Sequence, residues 1–226
     1  MPTIYRSIIQ GIVLLGFTPF LFSCASIPMV DEGGRPDITS QFDNEKGILH
    51  GVNVKKMARG APLRVVNMVH TNISPEETWK AVIADLPKWL PGSITDVYLF
   101  RGSSSGNQIA YLDLLEGDVR HCLNKPTGDL LVEKFRYINH DEKLVVYSVD
   151  LEQTNIFFPV KNHTAAHTVE SDGKGGSILT LRTYFDKTWN PLSLIITSSF
   201  RSSVDGSLLD FTKVYGGEVV RSKFYQ

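Results

Sequence analysis

The chain has 226 residues, of which 42% are apolar, and its formal net charge at pH 7 is −1. This composition is typical of a globular protein with one main domain and excludes a disordered chain. The charge is near zero and no stretch is dense in Lys and Arg, whereas nucleic-acid phosphates require a clustered basic face. We therefore expect no nucleic-acid partner.

The first 23 residues have the pattern of an export signal. Arg6 is the only charged residue among the first thirty, and a mainly apolar stretch follows it over residues 8–22. A positive segment followed by an apolar one is typical of a secretory signal peptide. The stretch ends at Leu21-Phe22-Ser23-Cys24-Ala25, which resembles the lipobox of bacterial lipoproteins. That resemblance implies cleavage after Ser23 and acylation of Cys24.

An uncleaved signal anchor is the alternative, because the apolar stretch is close to the roughly 20 residues that span a bilayer. Pro19 within the stretch and the cysteine at its end favour cleavage. The lipoprotein resemblance implies a triacylated Cys24, and several acyl chains bind a membrane firmly whereas one chain binds only marginally. Ala25 is not the Asp that retains such lipoproteins at the inner membrane of enteric bacteria. We therefore expect a bacterial envelope protein anchored in the outer membrane and facing the periplasm.

Cys122 is the second of two cysteines. If Cys24 is acylated, no intramolecular disulfide can form, although an exported protein would permit one. We expect Cys122 to act as a small buried hydrophobic residue, because a catalytic cysteine needs an activating environment.

The segment 24–62 starts with the cysteine that the lipobox resemblance implies is acylated. The residues after it are rich in Gly and Pro without a sustained period, which predicts a linker with at most one short strand. The folded domain is predicted over 63–226. It begins with a strand over 64–71 and a helix that starts at Ser74-Pro75-Glu76-Glu77, where Ser74 and Glu77 have the spacing of a capping box. Trp79, Val82, Ile83 and Leu86 are expected on one side of this helix.

Alternating segments separated by turn residues follow Pro91-Gly92. They cover 96–100, 108–114, 118–123, 130–137, 144–151, 163–170 and 177–186. Short turn-linked strands of this kind predict a curved antiparallel sheet. Asn190 and Pro191 then begin a second helix, whose apolar residues recur at three- and four-residue steps as far as Tyr215.

Six motifs at successive points of this order resemble the helix-grip superfamily (SRPBCC). They are Ser74-Pro-Glu-Glu-Thr-Trp79, Leu86-Pro-Lys-Trp-Leu-Pro91, Gly117-Asp-Val-Arg120, Leu131-Val-Glu133-Lys-Phe135, Val146-Tyr147-Ser148 and Leu181-Arg-Thr-Tyr-Phe185. The superfamily includes START lipid-transfer domains, birch-pollen-allergen-like proteins, plant abscisic-acid receptors and bacterial polyketide cyclase/dehydrase-like proteins. The resemblance covers about residues 63–220. It implies an α+β fold in which a curved antiparallel sheet wraps around a long C-terminal helix, with ligands buried in a cavity between them.

The same resemblance implies that Arg120 and Glu133 point into that cavity. Strand alternation then places Phe135 on the face of Glu133, and Arg182 on the face of Tyr184. The predicted ligand-binding residues are Arg120, Glu133, Phe135, Tyr147, His163, Arg182 and Tyr184. One interpretation is a polar anchor for the head of an apolar ligand, for example a carboxylate held by Arg. The alternative is solvated outer charges or a purely structural ion pair, because an isolated buried charge is costly.

Two further motifs predict no chemistry. Gly102-Ser-Ser104-Ser-Gly106 matches a nucleophile elbow, but a strand-like segment follows it where that motif needs a helix, so we predict a hairpin tip. On a strand, His163 and His167 would lie about 13 Å apart and could not share one metal ion. We predict no metal site and no cofactor.

These features support three hypotheses about function. The first is a membrane-tethered protein that binds or transports a lipid or other hydrophobic small molecule without catalysis. The second is an enzyme of the cyclase/dehydratase or hydrolase type that uses the same cavity, with Glu133, Tyr147 or His163 as acid or base. The third is an interaction or scaffold lipoprotein whose cavity is filled.

Overall fold

The computed structural model describes residues 42–43, 47–156, 160–186 and 205–224. The predicted signal segment, Cys24 and most of the predicted linker lie outside these ranges, as do residues 187–204 with the predicted start of the terminal helix. Within the described ranges, no helix is both long enough and apolar enough to cross a membrane.

The strands of the described residues, in chain order, are β1 (Phe42–Asp43), β2 (Ile48–Leu49), β3 (Val52–Asn53), β4 (Leu63–Thr71), β5 (Asp96–Phe100), β6 (Val119–Asn124), β7 (Asp129–Asn139), β8 (Leu144–Val149), β9 (Lys161–Ser171), β10 (Ser177–Asp186) and β11 (Glu218–Phe224). The helices are α1 (Val54–Met57), α2 (Pro75–Ile83), α3 (Leu86–Trp89) and α4 over 205–215, with a 3-10 turn at Tyr111–Asp113.

Eight of these strands form one sheet in the order β11-β4-β10-β9-β8-β7-β6-β5, and every neighbouring pair is antiparallel. From β5 to β10 each strand pairs with its successor in the chain, as turn-linked segments should. The predicted α+β class and large antiparallel sheet are therefore confirmed. β1, β2 and β3 form a separate small sheet.

The first helix of the domain begins where its sequence predicts. The Oγ atom of Ser74 accepts a hydrogen bond from the backbone N–H of Glu77, and the Glu77 carboxylate accepts one from the backbone N–H of Ser74. This capping box satisfies N–H groups that no helical carbonyl can reach. The helix ends after Ile83, and α3 continues the chain as a separate short turn.

Both faces of the sheet are covered. We call the inner face the side on which Val69, Phe135 and Leu179 pack against α2, α3 and α4. On the opposite, outer face, residues 47–61 pack against β8, β9 and β10, and we call this segment the outer cap. Its Leu49 and Val54 are buried in the outer cluster, although the sequence assigned them to a linker. The packed part of the chain thus includes residues that precede residue 63.

The segment predicted as a strand over 108–114 is not a strand, and that prediction is wrong. Gln108 forms a single bridge with Phe100, after which the chain enters the 3-10 turn. The burial of its side chains does not alternate as in a strand, because Leu114 is buried while Leu112, two residues earlier, is exposed. An extended strand would place Leu112 and Leu114 on the same face.

The chain also differs from prediction at its C-terminal end. A long C-terminal helix is not evident, since the described helix is the short α4, and the predicted part over 190–204 lies outside the described residues. After α4 the chain reverses at Gly216-Gly217, and β11 pairs with β4. Gly217 has φ +98°, and a Cβ atom there would lie 2.0 Å from the carbonyl oxygen of His70. Only glycine permits this close return onto β4.

Candidate functional site

Sheet register brings four of the predicted site residues together on the inner face. Arg120 of β6 lies opposite Glu133 of β7, and Phe135 lies opposite Tyr147 of β8. One strand further, His167 of β9 adjoins this group. We call Arg120, Glu133, Tyr147 and His167 the polar cluster.

A buried ion pair forms one end of the polar cluster. The Nε atom of Arg120 donates to Oε2 of Glu133 over 2.7 Å, and the two residues are only 1% and 5% exposed. Nη1 of Arg120 donates to the carbonyl oxygens of Val82 and Ile83 over 2.9 and 3.0 Å. These are the last carbonyls of α2, which lack helical partners. Arg120 therefore joins the sheet to the end of α2 while its charge is compensated.

Two aromatic rings and a thiol complete the surroundings of this pair. The guanidinium carbon of Arg120 lies 4.8 Å from the ring centroid of Tyr147 and 5.7 Å from that of Phe135, within cation–π range. Burial alone would lower the pKa of Arg120, but the Glu133 charge raises it above its ordinary value. Burial and the same carboxylate raise the pKa of the Cys122 thiol, which donates towards Glu133. Cys122 is thus a buried protonated thiol without nucleophilic character.

The other end of the polar cluster is a tyrosine–histidine contact. The hydroxyl of Tyr147 lies 3.1 Å from Nε2 of His167, and the two rings meet edge to face. Burial, followed by the Glu133 charge, raises the pKa of Tyr147. Burial lowers the pKa of His167 to about 3, and the charges of Arg120, His163 and Arg182 lower it further. At neutral pH both groups are uncharged.

The inner face also carries polar atoms without partners. Asn67 of β4 is 1% exposed, and within the described part of the chain neither Oδ1 nor Nδ2 has a hydrogen-bond partner. The same holds for Nδ1 of His167. Alternation places Asn67 on the side of Val69 and His167 on that of Val169, and both valines belong to the inner apolar cluster. Buried polar groups are nearly always paired, so these atoms are exceptional.

Three predicted site residues lie apart from the cluster. His163 is half-buried, four residues before His167 on β9, and burial lowers its pKa to about 4. Arg182 and Tyr184 lie on the outer face. Nη1 of Arg182 donates to Oγ1 of Thr168, and Tyr184 packs in the apolar cluster of the outer cap. Strand alternation predicted that Arg182 and Tyr184 lie on the same face of their strand, and this is confirmed. That face is not the one that carries Arg120 and Glu133.

Sequence reasoning missed Asn67 and His167 as members of the site. A signal for Asn67 exists, since it is the only amide within the apolar run Val65-Val66-Asn67-Met68-Val69. For His167 the sequence raises only the question of metal binding, together with His163. Within the described ranges no three His, Cys, Asp or Glu side chains are grouped so that they could hold a metal ion.

Ser104 lies in a hairpin tip, as predicted, and no helix follows it. Its hydroxyl lies 2.8 Å from Nε2 of His121 and also donates to Gln153. These contacts join the turn to the strand and to the loop after β8. The Gly-x-Ser-x-Gly pattern therefore has a structural explanation in this chain.

A pocket of about 380 Å³ opens between α3 with its following turn and α4. Trp89 and Leu90 line one side, and Gly206, Asp210 and Val214 are on the helix side. Trp89 belongs to the apolar cluster of the inner face, and Leu90 packs against that cluster. The pocket therefore borders the apolar interior as well as solvent.

No protein-family model and no curated protein matches the chain. Among solved structures, the chain is similar to XoxI from Bacillus cereus, with 22% sequence identity and a TM-score of 0.49 over 66% of this chain and 93% of that one. It is similar to Ara h 8.0201, with 16% identity and a TM-score of 0.48 over 67% and 96% of the two chains. A protein from Bacillus thuringiensis has 22% identity and a TM-score of 0.46 over 65% and 96%. At these scores the similarities establish neither family nor activity.

Proposed function

We propose that this protein binds a lipid or other hydrophobic small molecule between the inner face of its sheet and α4, and that acylated Cys24 tethers it to a membrane. The observation that carries the proposal is the pocket between α3 and α4. Its volume of about 380 Å³ is within the range of small-molecule sites, and its Trp89 wall continues into the apolar cluster. An apolar ligand entering there would exchange water for the surfaces of Trp89 and Leu90.

The polarity of the inner face supports the same proposal. Small-molecule sites are mostly apolar, with a few fixed polar groups that orient the ligand. The inner face has this composition, because valine, leucine and phenylalanine side chains surround the polar cluster and Asn67. The resemblance of the sequence motifs to the helix-grip superfamily leads to the same expectation.

The enzyme hypothesis has less support from the geometry. Glu133 is held in an ion pair with Arg120, and burial raises the pKa of Tyr147, so that Tyr147 keeps its proton. The Glu133 carboxylate is occupied by Arg120 and Tyr147 carries its own proton, so neither side chain is placed as a general base. We therefore propose binding or transport without catalysis.

The tether gives the binding site a location. The lipobox-like segment before Cys24 supports acylation, and the Ala at position 25 supports the outer membrane of a bacterial envelope. A carrier held at a bilayer stays close to a source of lipid. Replacement Cys24→Ser should move the full chain from the membrane fraction to the soluble fraction or leave an unprocessed precursor. Continued membrane association of a processed chain would contradict the proposed acylation.

Ligand binding is tested by titrating the purified full chain with the uncharged apolar fluorophore N-phenyl-1-naphthylamine. We expect saturable binding and compare two exposed apolar residues of α4, Val214, which lines the pocket, and Leu209, which does not. Val214→Trp should weaken the apparent affinity by about tenfold or more, equivalent to about 1.4 kcal/mol. Leu209→Trp should leave it unchanged. Absence of saturable binding, or equal effects of the two variants, would refute the proposed site.

A further inference from the structure

We infer that the ligand carries an uncharged hydrogen-bonding head, such as an alcohol or a primary amide, and that Asn67 and His167 recognise this head. The inference rests on the proposed function and names the chemical class of its ligand.

Sheet register places the two side chains in one row. Asn67 lies opposite Leu181 of β10, and Leu181 lies opposite His167 of β9. Asn67 and His167 are therefore two strand spacings apart, roughly 10 Å between backbones. All three side chains project to the inner face, with Asn67 and His167 1% and 7% exposed. None of the three lines the pocket between α3 and α4, so the inferred ligand extends from that pocket into the inner apolar cluster and places its head over Leu181.

The three free atoms offer both kinds of hydrogen bond. Asn67 presents an N–H₂ donor and a carbonyl acceptor, and neither has a partner among the described residues. Nε2 of His167 is engaged with Tyr147, which leaves Nδ1 as the free ring atom. A hydroxyl or a primary amide both donates and accepts, so it can satisfy this set.

The charges on this face do not favour an ionic head. The carboxylate of Glu133 already compensates Arg120, whose Nε and Nη1 donors are used by Glu133 and by the end of α2. Arg182 lies on the outer face, and burial keeps His167 neutral above about pH 3. Tyr147 keeps its proton, and His163 is neutral at pH 7. Among the described side chains of this face, a ligand carboxylate buried beside Asn67 would therefore find no uncompensated cation, and burying it there is costly.

This differs from the anchor that the sequence suggested. One interpretation of the sequence is a ligand carboxylate held by Arg, but in the structure Arg120 binds Glu133 and the last carbonyls of α2. The recognition groups are instead two neutral side chains, and within the described residues both polar atoms of Asn67 and Nδ1 of His167 have no hydrogen-bond partner. Such unused capacity in a buried position is rare unless a partner fills it.

The test compares three ligands that share one chain length and differ only in the head. 1-Dodecanol, dodecanamide and dodecanoate compete at pH 7.5 with N-phenyl-1-naphthylamine for the full chain, below their aggregation concentrations. We expect the alcohol and the amide to displace the fluorophore at concentrations at least about tenfold lower than dodecanoate. This comparison uses the unmodified protein and needs no variant to fold.

Two variants then assign the preference to Asn67. Asn67→Leu is close to asparagine in side-chain shape and should reduce the preference for the uncharged heads to less than about threefold. The matched control is Thr180→Val, a buried polar-to-apolar change on the outer face, which should keep the full preference.

The outcomes separate this inference from the proposed function. If the fluorophore binds but dodecanoate competes as well as dodecanol, the inference is overturned and the hydrophobic site stands. If the preference persists in Asn67→Leu, recognition by Asn67 is overturned. If the fluorophore does not bind at all, the proposed function and this inference both fail.

Discussion

Replacement of Arg120 should show how much the buried ion pair with Glu133 contributes to the free energy of unfolding of the domain. In Arg120→Leu the Glu133 carboxylate loses its cation while it stays 5% exposed, and an uncompensated buried charge of this kind costs about 3–5 kcal/mol. The carbonyls of Val82 and Ile83 also lose their donor, which adds about 1–3 kcal/mol. Since domains of this size are typically stable by about 5–15 kcal/mol, the variant should be close to unfolding.

The second replacement separates these two contributions. In Arg120→Leu/Glu133→Leu the carboxylate is gone, so the double variant should recover about 3–5 kcal/mol relative to Arg120→Leu and retain only the cost of the α2 carbonyls. Urea unfolding monitored by tryptophan fluorescence measures the free energy of unfolding of each variant. Lys125→Leu, which breaks the exposed pair with Asp96, is the control and should change stability little.

Two results would refute this reasoning. If the double variant is no more stable than Arg120→Leu, the buried Glu133 carboxylate does not need the Arg120 cation to compensate its charge. If Arg120→Leu destabilises no more than Lys125→Leu, the pair is not buried in solution as it is in the structure.

Three other replacements give measurable effects. The unfolded chain binds a proton at His167 below about pH 6.5 whereas the folded chain excludes it down to about pH 3, so stability is complete above pH 6.5 and falls as the pH is lowered through this window. His167→Gln should reduce the slope of unfolding free energy against pH by about 1.4 kcal/mol per pH unit between pH 6 and 4. The unfolding free energies are measured in urea at each pH, and equal slopes for the variant and the unmodified chain would contradict this prediction. In Gly217→Ala the new Cβ atom would collide with the carbonyl oxygen of His70, so this variant should lower the thermal midpoint of unfolding. The control is Gly175→Ala, where φ is nearly the same but the space around the Cβ position is open, and its midpoint should fall far less. Equal midpoints for the two variants would contradict the close approach of Gly217 to His70. Asn67→Leu should raise the free energy of unfolding in urea without ligand by about 1–3 kcal/mol, because it removes an unpaired buried amide, and a loss of stability would show that the amide is paired.

Local sequence patterns predicted most of the sheet. The segments 96–100 and 177–186 coincide with β5 and β10, and the capping box begins α2 at Pro75. Such strands and helix starts depend on alternation, capping and turn residues within a few neighbouring positions, so they can be predicted from a single sequence. The strand prediction for 108–114 is wrong because five apolar residues within seven positions can also belong to an irregular loop.

The candidate site was only partly predictable, because it depends on which face of each strand meets the helices. Alternation pairs Arg182 with Tyr184 and Glu133 with Phe135, yet it does not say which pair faces inward. The outer cap decides this, since it supplies Leu49 and Val54 as a second apolar layer over Tyr184. Its short elements have too little periodicity to be recognised in the sequence.

Pairing of β4 with β10 and β11 has a consequence for how the protein is made. Among the described strands, β4 is the first long one to leave the ribosome, but both of its neighbours in the sheet lie beyond residue 176. Closing a loop of more than a hundred residues costs entropy that only the completed contacts repay, so the sheet forms late. A chain exported as we propose would therefore pass through the membrane before its last strands are available, and it would complete its sheet on the far side. Truncation before β10 would leave β4 as an unpaired edge prone to aggregation.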